Sequence, residues 1–559
     1  MGQGALPPMP SPATHLRAPL LWLLLPLMAG LTAAKLWPVP PEIGLLRPAL
    51  FGAVVGCASI WFGLRPGVFA ALTWGVGQSL AAALAGYVLL QVSAPHLADR
   101  EERPPREISV TLDVRQVFSA APQARNYTGL GVIIAAGGNE QSLTGQPVYF
   151  SAIRKISVPP ERSGRYLMRG IVEALPHDGP SAGFNDYLEH LGINRKLTRG
   201  QITREVAAPG WFRRFCTRTK QRLQAILHRG LERYPVEDSL YVAMLLGEKA
   251  VLSAEQQNAF MRSGTYHIFS ISGLHVGVIG AALYGLFRLL RVPRRPGVAL
   301  NLLVLWFYVQ VTGGSSPALR SLLMIAFLFG MQEFRLPGNG LAALIAAALV
   351  TLLLDPLQLF GTGFQMSYSV VVALVVMGVP LARSWLLAWR PFALLPKSDW
   401  RWYHHKIDRG GRKLLAAAAG SWAAFLASAA SGIGYFQLFS PGSLVANLII
   451  IPVSSVAIMS GLVSLLCGLT GLSALSVPCN LFAALTIRLM DWLVQRGTAL
   501  PAMYFTAHFT QPWLAPACLV AMTAVLFAGV AGHWSRRYGG YWPPAVLLAL
   551  ILIFAVKFS

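Results

Sequence analysis

The sequence predicts a polytopic α-helical membrane protein with a small all-β domain inserted after its first membrane segments, and three observations support this fold class. First, 54% of the 559 residues are hydrophobic and only 12% are charged, whereas an ordinary soluble protein carries about 25% charged residues. Second, apolar runs such as 341–354, 370–387 and 443–469 approach the roughly 20 residues that cross a bilayer. Third, residues 96–208 have a different, β-rich character.

Thirteen apolar segments make up the predicted helical part. They lie near 19–37, 45–63, 66–92, 273–290, 298–312, 316–332, 340–355, 362–382, 414–436, 443–469, 474–496, 513–533 and 543–557. The pair within 298–332 is short for full spans and encloses TGGSSP, so a re-entrant hairpin is an alternative there. The first run is interpreted as a retained span and not a signal peptide, because Pro26 interrupts it and further apolar runs follow.

The segment between the third and fourth apolar runs has the pattern of a small barrel or sandwich. The stretches EISVTLDVRQV, TGLGVIIAA, QPVYFSAIRKISV and RYLMRGIVEAL alternate partly between apolar and polar residues and are separated by Gly, Pro and Asn. The predicted division of the chain is 1–95 for the first membrane segments, 96–208 for the β domain, 209–240 for a basic interfacial helix and 241–559 for the main membrane domain.

The stretch WFRRFCTRTKQRLQAILHRGLER, residues 211–233, predicts a basic amphipathic helix. It carries seven Lys or Arg residues against one acid, Glu232. An apolar stripe is formed by Trp211, Phe212, Phe215, Leu223, Ile226 and Leu227. We interpret this helix as lying on the bilayer surface, with guidance of a strand by its arginines as the alternative.

The distribution of basic residues predicts the orientation in the membrane. The net charge is +23, and basic residues beside membrane spans are expected on the cytoplasmic side. Loops around 288–295, 383–413 and 536–537 carry the Lys and Arg residues, whereas the turns at 313–316, 437–442 and 497–512 carry none. The N-terminus is therefore predicted to be cytoplasmic, and the β domain and the basic helix extracytoplasmic.

Two classes of site are disfavoured by the residues themselves. The five cysteines, Cys57, Cys216, Cys467, Cys479 and Cys518, show no CxxC spacing, which argues against a disulfide framework or a thiolate metal site. No GxxxxGK[ST] sequence occurs, so ATP binding through a P-loop is not expected.

The stretch HIFSISGLHVG, residues 267–277, places polar residues where an apolar segment begins. Ser272 and His275 are three residues apart and share one face of a helix. A hydroxyl beside an imidazole is one arrangement for a nucleophile and its base, although no orienting acid is nearby. The alternatives are hydrogen bonding across a helix bundle and non-helical backbone at Ser272 and Gly273 that lines a wet cavity.

Residues 244–290, which contain this stretch, resemble the signature of the ComEC family of bacterial competence channel proteins. Three later stretches fit the same family in the same order: SSPALRSLLMIAFLF at 315–329, LLLDPLQLFGTGFQMSYSVVVAL at 352–374, and GYFQLFSPGSLVANLIIIPVSS at 434–455. GFNDYLEHLGI at 183–193 resembles a stretch of the family's extracytoplasmic domain. The motif residues carried by this resemblance are Ser272, Gly273, Leu274, His275, Gly277, Arg320, Asp355, Gln365, Ser367, Asn447 and Pro452.

The resemblance implies a channel in the bacterial cytoplasmic membrane that passes single-stranded DNA inward during natural transformation. It also implies an OB-like β domain, a fold that often binds single strands through basic and aromatic residues. Arg154, Lys155, Arg165, Tyr166 and Arg169 supply such residues here, with a solvated barrel face as the alternative. The implied partners are single-stranded DNA, membrane lipids, a DNA receptor outside, and a helicase or DNA-binding proteins in the cytoplasm.

The sequence departs from the family in two ways. Many members carry a C-terminal metallo-β-lactamase-like domain, but no HxHxDH sequence occurs here and His404-His405 is an isolated pair. We therefore expect no nuclease activity, no metal and no other cofactor. The β domain contains no cysteine, so the disulfide of some relatives is not expected. A secondary transporter for a small or lipidic solute and an intramembrane hydrolase are the alternative functions.

Overall fold

A computed structural model describes most of the chain. The described residues are 20–37, 45–64, 68–93, 104–118, 125–137, 141–175, 184–185, 188, 191–248, 252–336, 339–534 and 539–558. Contacts divide the chain into two units, one of residues 1–93 and 322–359 and one of residues 94–321 and 360–559. The four-part division expected from the sequence stays a prediction.

Helices make up most of the described residues. In chain order they are α1 (Leu21–Leu36), α2 (Leu46–Gly63), α3 (Val68–Ser93), α4 (Trp211–His228), α5 (Pro235–Leu246), α6 (Ala254–Arg262), α7 (Gly273–Leu289), α8 (Arg294–Val311), α9 (Ser316–Glu333), α10 (Gly340–Leu354), α11 (Thr362–Ala388), α12 (Trp402–Phe436), α13 (Ser443–Leu469), α14 (Ser473–Thr498), α15 (Leu514–Ala531) and α16 (Pro543–Phe554). A π-helical segment, Leu374–Gly378, lies inside α11.

Seven of these helices are long and apolar enough to cross a membrane: α2, α3 from Leu72, α11, α12, α13, α14 and α15. Shorter apolar helices are α1, α7, α10 and α16. The chain is therefore mostly helical with several candidate spans, as a polytopic membrane protein requires. The larger number of thirteen crossings stays a prediction.

Small residues allow the helices of the first unit to pack closely. A Cβ on Gly30 of α1 would collide with the carbonyl oxygen of Ala83 in α3, and one on Gly77 of α3 would collide with Cβ of Ser59 in α2. Such close backbone approach is typical of helices that associate in lipid. Trp22 and Trp61 point outward and are exposed, which suits contact with lipid tails.

The β-rich segment forms a closed five-stranded barrel. Its strands are β1 (Arg106–Phe118), β2 (Asn126–Ala136), β3 (Pro147–Ile153), β4 (Arg165–Ala174) and β5 (Arg195–Ala207), in the order β1-β2-β3-β5-β4 with β4 pairing back to β1. Every pairing is antiparallel except that of β3 with β5. Closure leaves no long free sheet edge within this domain.

Alternation along the strands fills the barrel. On β1 the side chains of Ile108, Val110, Leu112 and Val114 are buried, while the residues between them are more exposed. Gly129 on β2 leaves space for the ring of Phe150, because a Cβ there would lie 2.7 Å from that ring. The sequence left barrel and sandwich open, and the structure contains the barrel.

Two ends of the main membrane region differ from their predicted bounds. Helix α12 begins at Trp402, whereas the predicted segment began at 414. The last predicted segment, 543–557, contains a helix only to Phe554; residues Val556–Phe558 form strand β8. This strand pairs with β7 (Phe505–Phe509), which also pairs with β6 (Leu438–Phe439). The prediction was wrong there because Val556–Phe558 pairs with β7, and the hydropathy of the run does not show this pairing.

Helix α4 packs on protein along much of its apolar stripe, whereas the sequence interpretation assigned this stripe to the bilayer surface. Phe212 stacks on Trp306 of α8 with ring centroids 5.5 Å apart, and Leu223, Ile226 and Leu227 are buried. Asn480 of α14 donates to the carbonyl oxygens of Ile226 and Arg229 at 2.9 and 3.0 Å, which caps the C-terminal end of α4. Trp211 is 75% exposed, so the N-terminal end of the stripe is accessible to lipid.

Candidate functional site

The polar stretch at the start of α7 forms a helix cap. Ser272 has extended backbone and is the N-cap residue. Nδ1 of His275 accepts a hydrogen bond from the backbone N–H of Ser272 at 3.4 Å and lies 3.2 Å from its Oγ. The His275 side chain is fully buried. This reciprocal arrangement is that of a capping box, with histidine in the place usually taken by Glu or Gln.

The same geometry does not favour a nucleophile and base. Nδ1 of His275 already accepts from a backbone N–H, which competes with acceptance of the Ser272 proton. Nε2 of His275 is buried and has no hydrogen-bond partner among the described residues, so nothing there orients the ring as the acid of a triad does. The Ser272–His275 pair is therefore explained by the helix end that it stabilises.

Arg320 occupies the first turns of α9 and is 1% exposed. Its Nη1 donates to Oγ of Ser316 at 2.6 Å, and its Nη2 donates to the carbonyl oxygen of Gly363 in α11 at 2.7 Å. The guanidinium carbon lies 5.9 Å from the ring centroid of Tyr368. Its Nε has no partner, and no carboxylate pairs with Arg320 in the part of the chain that the structure describes.

The remaining motif residues lie on α10, α11 and α13 or beside them. Oε1 of Gln365 accepts a short hydrogen bond from the hydroxyl of Tyr435 in α12. Ser367 is half-buried on α11. Oδ1 of Asn447 in α13 is buried without a partner among the described atoms. Pro452 lies inside α13, where its ring has no N–H to donate to the carbonyl four residues earlier in the helix.

Three contacts bring the motif stretches of the second unit together. A Cβ on Gly273 would lie 3.1 Å from Oγ of Ser321, so the first turn of α7 approaches α9 closely. Arg320 binds Gly363, and Gln365 binds Tyr435, which lies in the fourth stretch. Asp355 is not part of this set of contacts; it belongs to the first unit, where its Oδ2 accepts from Nε2 of Gln358 at 3.0 Å.

Leu274 and Gly277 complete the first motif. Leu274 is half-buried, and a Cβ on Gly277 would meet no atom within 4 Å. The two glycines therefore differ, since only Gly273 is at a close helix contact. This distinction depends on which face of α7 meets α9, which spacing along the sequence does not specify.

The barrel presents four of its five predicted basic and aromatic residues to solvent. Arg154 and Lys155 follow β3 and are exposed, and Arg165 and Arg169 lie on the outer face of β4. Nε of Arg169 is 2.8 Å from Oε1 of Glu107, in an ion pair that is itself exposed. The Arg154 guanidinium lies 5.3 Å from the ring centroid of Tyr127 on β2, so these residues are spread over the outer surface from the end of β3 to β4.

Tyr166 was assigned a base-stacking role from the sequence, and its position corrects that assignment. Its ring belongs to the barrel core and is 2% exposed. Its hydroxyl accepts a hydrogen bond from the backbone N–H of Glu161 at 2.9 Å. Alternation places Tyr166 inward because Arg165 and Leu167 on either side point outward.

A part of the chain's own sequence covers the outer face of β2 and β3. The ring of Phe184 contacts those of Tyr149 and Phe118 at centroid distances of 5.2 and 6.0 Å. Leu175, Leu188 and Ile193 form a second small core against Leu130 and Tyr149. Phe184, Leu188 and Ile193 of the GFNDYLEHLGI stretch therefore pack on a face that OB folds often use for ligands.

One contact between the barrel and the membrane helices was not predicted. The Arg162 guanidinium donates a short hydrogen bond to the carbonyl oxygen of Gly313, in the turn between α8 and α9. Burial lowers the pKa of Arg162, and the nearby positive charge of Arg213 lowers it further. Gly313 and Gly314 have φ of 98° and 63°, which favours glycine. In the sequence, the doubled glycine of TGGSSP indicates this turn.

Comparison with known proteins gives the following matches. The sequence model of the family described as Competence protein matches residues 244–534. The ComE operon protein 3 of Bacillus subtilis (strain 168) is 30% identical over 142 residues, which are 25% of this chain and 18% of that protein. The competence protein ComA of Neisseria gonorrhoeae is 34% identical over 142 residues, covering 24% and 20% of the two chains.

A third relative, the uncharacterized protein YcaI of Escherichia coli (strain K12), is 25% identical over 225 residues, 38% of this chain and 28% of that protein. The chain thus spans less than a third of the length of each of these three relatives. No solved structure matches. The family match covers α6 to α15 and includes the motif residues Ser272, Arg320, Gln365 and Asn447 described above.

Proposed function

This chain belongs to the competence protein family that includes ComEC, and from that premise we propose that it acts in DNA uptake by passing a single strand across the membrane. The observation that carries the proposal is the meeting of the family's motif stretches around Arg320. Buried polar groups are rare in membrane domains and typically line a pathway or bind a substrate.

Unsatisfied polar atoms support the same interpretation. Of the nine buried side-chain atoms without a partner among the described residues, four lie in the motif stretches: Nε2 of His275, Oγ of Ser315, Nε of Arg320 and Oδ1 of Asn447. Buried polar atoms without partners in the protein usually bind water, an ion or a ligand. A conduit for a charged polymer needs such groups where the surrounding helices are apolar.

We propose that the barrel is of the OB type and receives the strand outside the membrane. Its five strands, its closure and the single parallel pairing of β3 with β5 support that identity. Because the β2–β3 face is packed against Phe184 and its neighbours, the strand is assigned to the face bearing Arg154, Lys155, Arg165 and Arg169. Arg162 ties this barrel to the turn that leads into α9.

The proposed orientation has a direct test. We expect a reporter fused after residue 150 to be extracytoplasmic, and one fused within 397–409 to be cytoplasmic, since basic loops remain inside. Paired fusions of a periplasm-active and a cytoplasm-active enzyme at each site measure this. A cytoplasmic signal at residue 150 contradicts the orientation and places the barrel on the opposite side.

The partners follow from what a passive conduit requires. We propose that a DNA receptor delivers the strand outside and that a cytoplasmic helicase or strand-binding proteins draw it inward, because the sequence has no P-loop. Membrane lipids surround the apolar outer surface of the helices. The proposed location is the bacterial cytoplasmic membrane.

Deletion of the gene tests the function itself. We expect the deletion strain to bind donor DNA at its surface but to lose cytoplasmic donor DNA and transformants, with recovery when the intact chain is expressed again. Normal transformation of the deletion strain contradicts the proposal. If uptake of a small or lipidic solute is lost instead, the secondary transporter becomes the better assignment.

A further inference from the structure

We infer that Arg320 binds the phosphodiester groups of the passing strand, one after another, at a site formed by the first turns of three helices. The assignment of these phosphodiester groups to a DNA strand depends on the proposed function. The site itself depends only on the charge, burial and partners of the residues around Arg320.

Two helix N-termini meet at Arg320, and a third lies beside the next residue, Ser321. Helix α9 begins at Ser316, whose Oγ accepts from Arg320, and α11 begins at Thr362, next to the Gly363 carbonyl that Arg320 also binds. Helix α7 begins at Gly273, which faces Ser321. Each helix N-terminus carries about half a positive charge. Arg320 contacts two of these ends and adjoins the residue that meets the third, so it adds positive charge where positive charge is already concentrated.

The partners that Arg320 has in this structure are weak for a buried cation. A hydroxyl, a carbonyl and an aromatic ring are neutral, and one guanidinium donor, Nε, has no acceptor within the described ranges of the chain. A buried charge normally has an opposite charge beside it, because burial without one is costly. Among the described residues no carboxylate pairs with Arg320, and charge-assisted hydrogen bonds to phosphate are roughly twice as strong as neutral ones.

A purely structural role is the competing explanation, in which Arg320 joins α9 to α11. That role needs two hydrogen-bond donors and not a charge, so a neutral glutamine supplies part of it. In either case Arg320→Gln loses at least one of the two hydrogen bonds to Ser316 and Gly363, so a lower melting temperature alone does not separate the explanations. If the charge serves a ligand, the wild type responds to a phosphodiester anion and the variant does not, whereas a purely structural arginine gives no such response in either protein.

The site also accounts for how an anion is passed on. Arg320 releases Ser316 or Gly363 when a phosphate oxygen arrives, and recovers that partner when the phosphate leaves. Because both resting partners are neutral and close by, binding is reversible. A permanent carboxylate partner would compete with each phosphate and hold the guanidinium in place.

The first experiment uses the full chain, purified in a maltoside detergent at low salt. Dimethyl phosphate is the probe because it is a single phosphodiester anion, and trimethyl phosphate is its neutral control. We expect dimethyl phosphate to raise the melting temperature of the wild type, since a ligand that binds only the folded state stabilises it. Arg320→Gln should lose this shift, whereas Arg488→Gln should keep it.

Arg488 is a suitable control because it is also a helix arginine but has an acid partner, Glu237, with its Nε 2.6 Å from Oε1. Arg320→Lys keeps the charge but loses the planar set of guanidinium donors. We expect the dissociation constant of this variant for dimethyl phosphate to rise about tenfold. An equal shift in all variants, or none in the wild type, overturns the inference. If Arg320→Gln does not fold, the inference is overturned instead by an Arg320→Lys variant whose dissociation constant for dimethyl phosphate equals that of the wild type.

The second experiment identifies the source of the phosphodiester, which lipids also carry. Strains with Arg320→Gln are expected to retain surface-bound donor DNA and to lose about 10- to 100-fold in transformation frequency, the cost of a hydrogen bond to a charged group. Normal transformation together with an Arg320-dependent shift by phosphatidylglycerol would overturn the assignment to DNA. If the deletion strain transforms normally while the dimethyl phosphate shift depends on Arg320, the proposed function fails and the anion site remains.

Discussion

Replacement of Gly273 with leucine is expected to abolish most DNA uptake. A Cβ at this position would lie only 3.1 Å from Oγ of Ser321, and leucine adds three further carbons in the same direction. Overpacking of this kind costs about 1–3 kcal/mol, which corresponds to a loss of up to about 100-fold if uptake needs the native contact. Transformation frequency at equal protein level in the membrane measures the effect.

Gly277 provides the matched control, because it lies on the same helix and a Cβ there meets no atom within 4 Å. Gly277→Leu is expected to transform close to the wild-type frequency. Equal losses from both substitutions would show that any leucine near this helix end is harmful, and the close approach of α7 to α9 would no longer explain the motif.

The neighbouring substitution Ser272→Ala separates the channel from a hydrolase. It removes one capping hydroxyl, which typically costs about 1 kcal/mol of stability, so a channel should retain most of its uptake. Removal of a catalytic nucleophile can cost on the order of a million-fold in rate. If Ser272→Ala abolishes uptake while Gly273→Leu does not, the capping explanation is wrong and a nucleophilic role must be considered.

Neutralisation of the basic barrel face is expected to weaken binding of single-stranded DNA most strongly at low salt. The variant carries Gln at Arg154, Lys155, Arg165 and Arg169, which are exposed. Because each neutralised phosphate releases counterions, the slope of log affinity against log salt should decrease in magnitude by up to about 3 for four contacts. Titration of a labelled oligothymidylate against the full chain over a range of salt gives this slope.

A control of equal charge change uses the region between α11 and α12 and the start of α12. This control variant carries Gln at four other exposed basic positions, Lys397, Arg401, Lys406 and Arg409. It changes the net charge by the same amount, and the substituted residues lie outside the barrel. We expect this variant to change the slope less than the barrel variant. Equal changes would mean that net charge alone governs binding, and binding without salt dependence would leave the barrel as a structural or docking module.

Several features of the structure follow from local patterns in the chain. Apolar runs of about 18 residues or more gave helices close to their predicted bounds, as for Ser443–Leu469, because a helix is the structure that pairs all its backbone groups within an apolar environment. The partial alternation noted in EISVTLDVRQV predicted a strand, and the structure contains β1 there with its apolar residues buried in turn. The doubled glycine between α8 and α9 marked a tight turn.

Other features depend on contacts between residues far apart in the chain. Tyr166 was assigned to a binding face because it lies between basic residues, yet strand register places it in the barrel core. The stripe of α4 was assigned to lipid, yet α8 and α14 contact it. Both cases concern which surface meets an amphipathic element, and the element's own sequence does not contain that information. The position of α4 at the bilayer surface stays a prediction.

The sequence by itself determined the membrane class, the inserted β-rich segment and the family, because hydropathy, alternation and contiguous motifs are local properties of a chain. It placed Ser272, Arg320 and Gln365 in three separate motifs without relating them. Only the tertiary structure brought these motifs together and placed Arg320 between the N-termini of α9 and α11, with no carboxylate beside it among the described residues. The physical reason is that electrostatic and hydrogen-bond partners are set by distance in space, and distances between helices depend on packing.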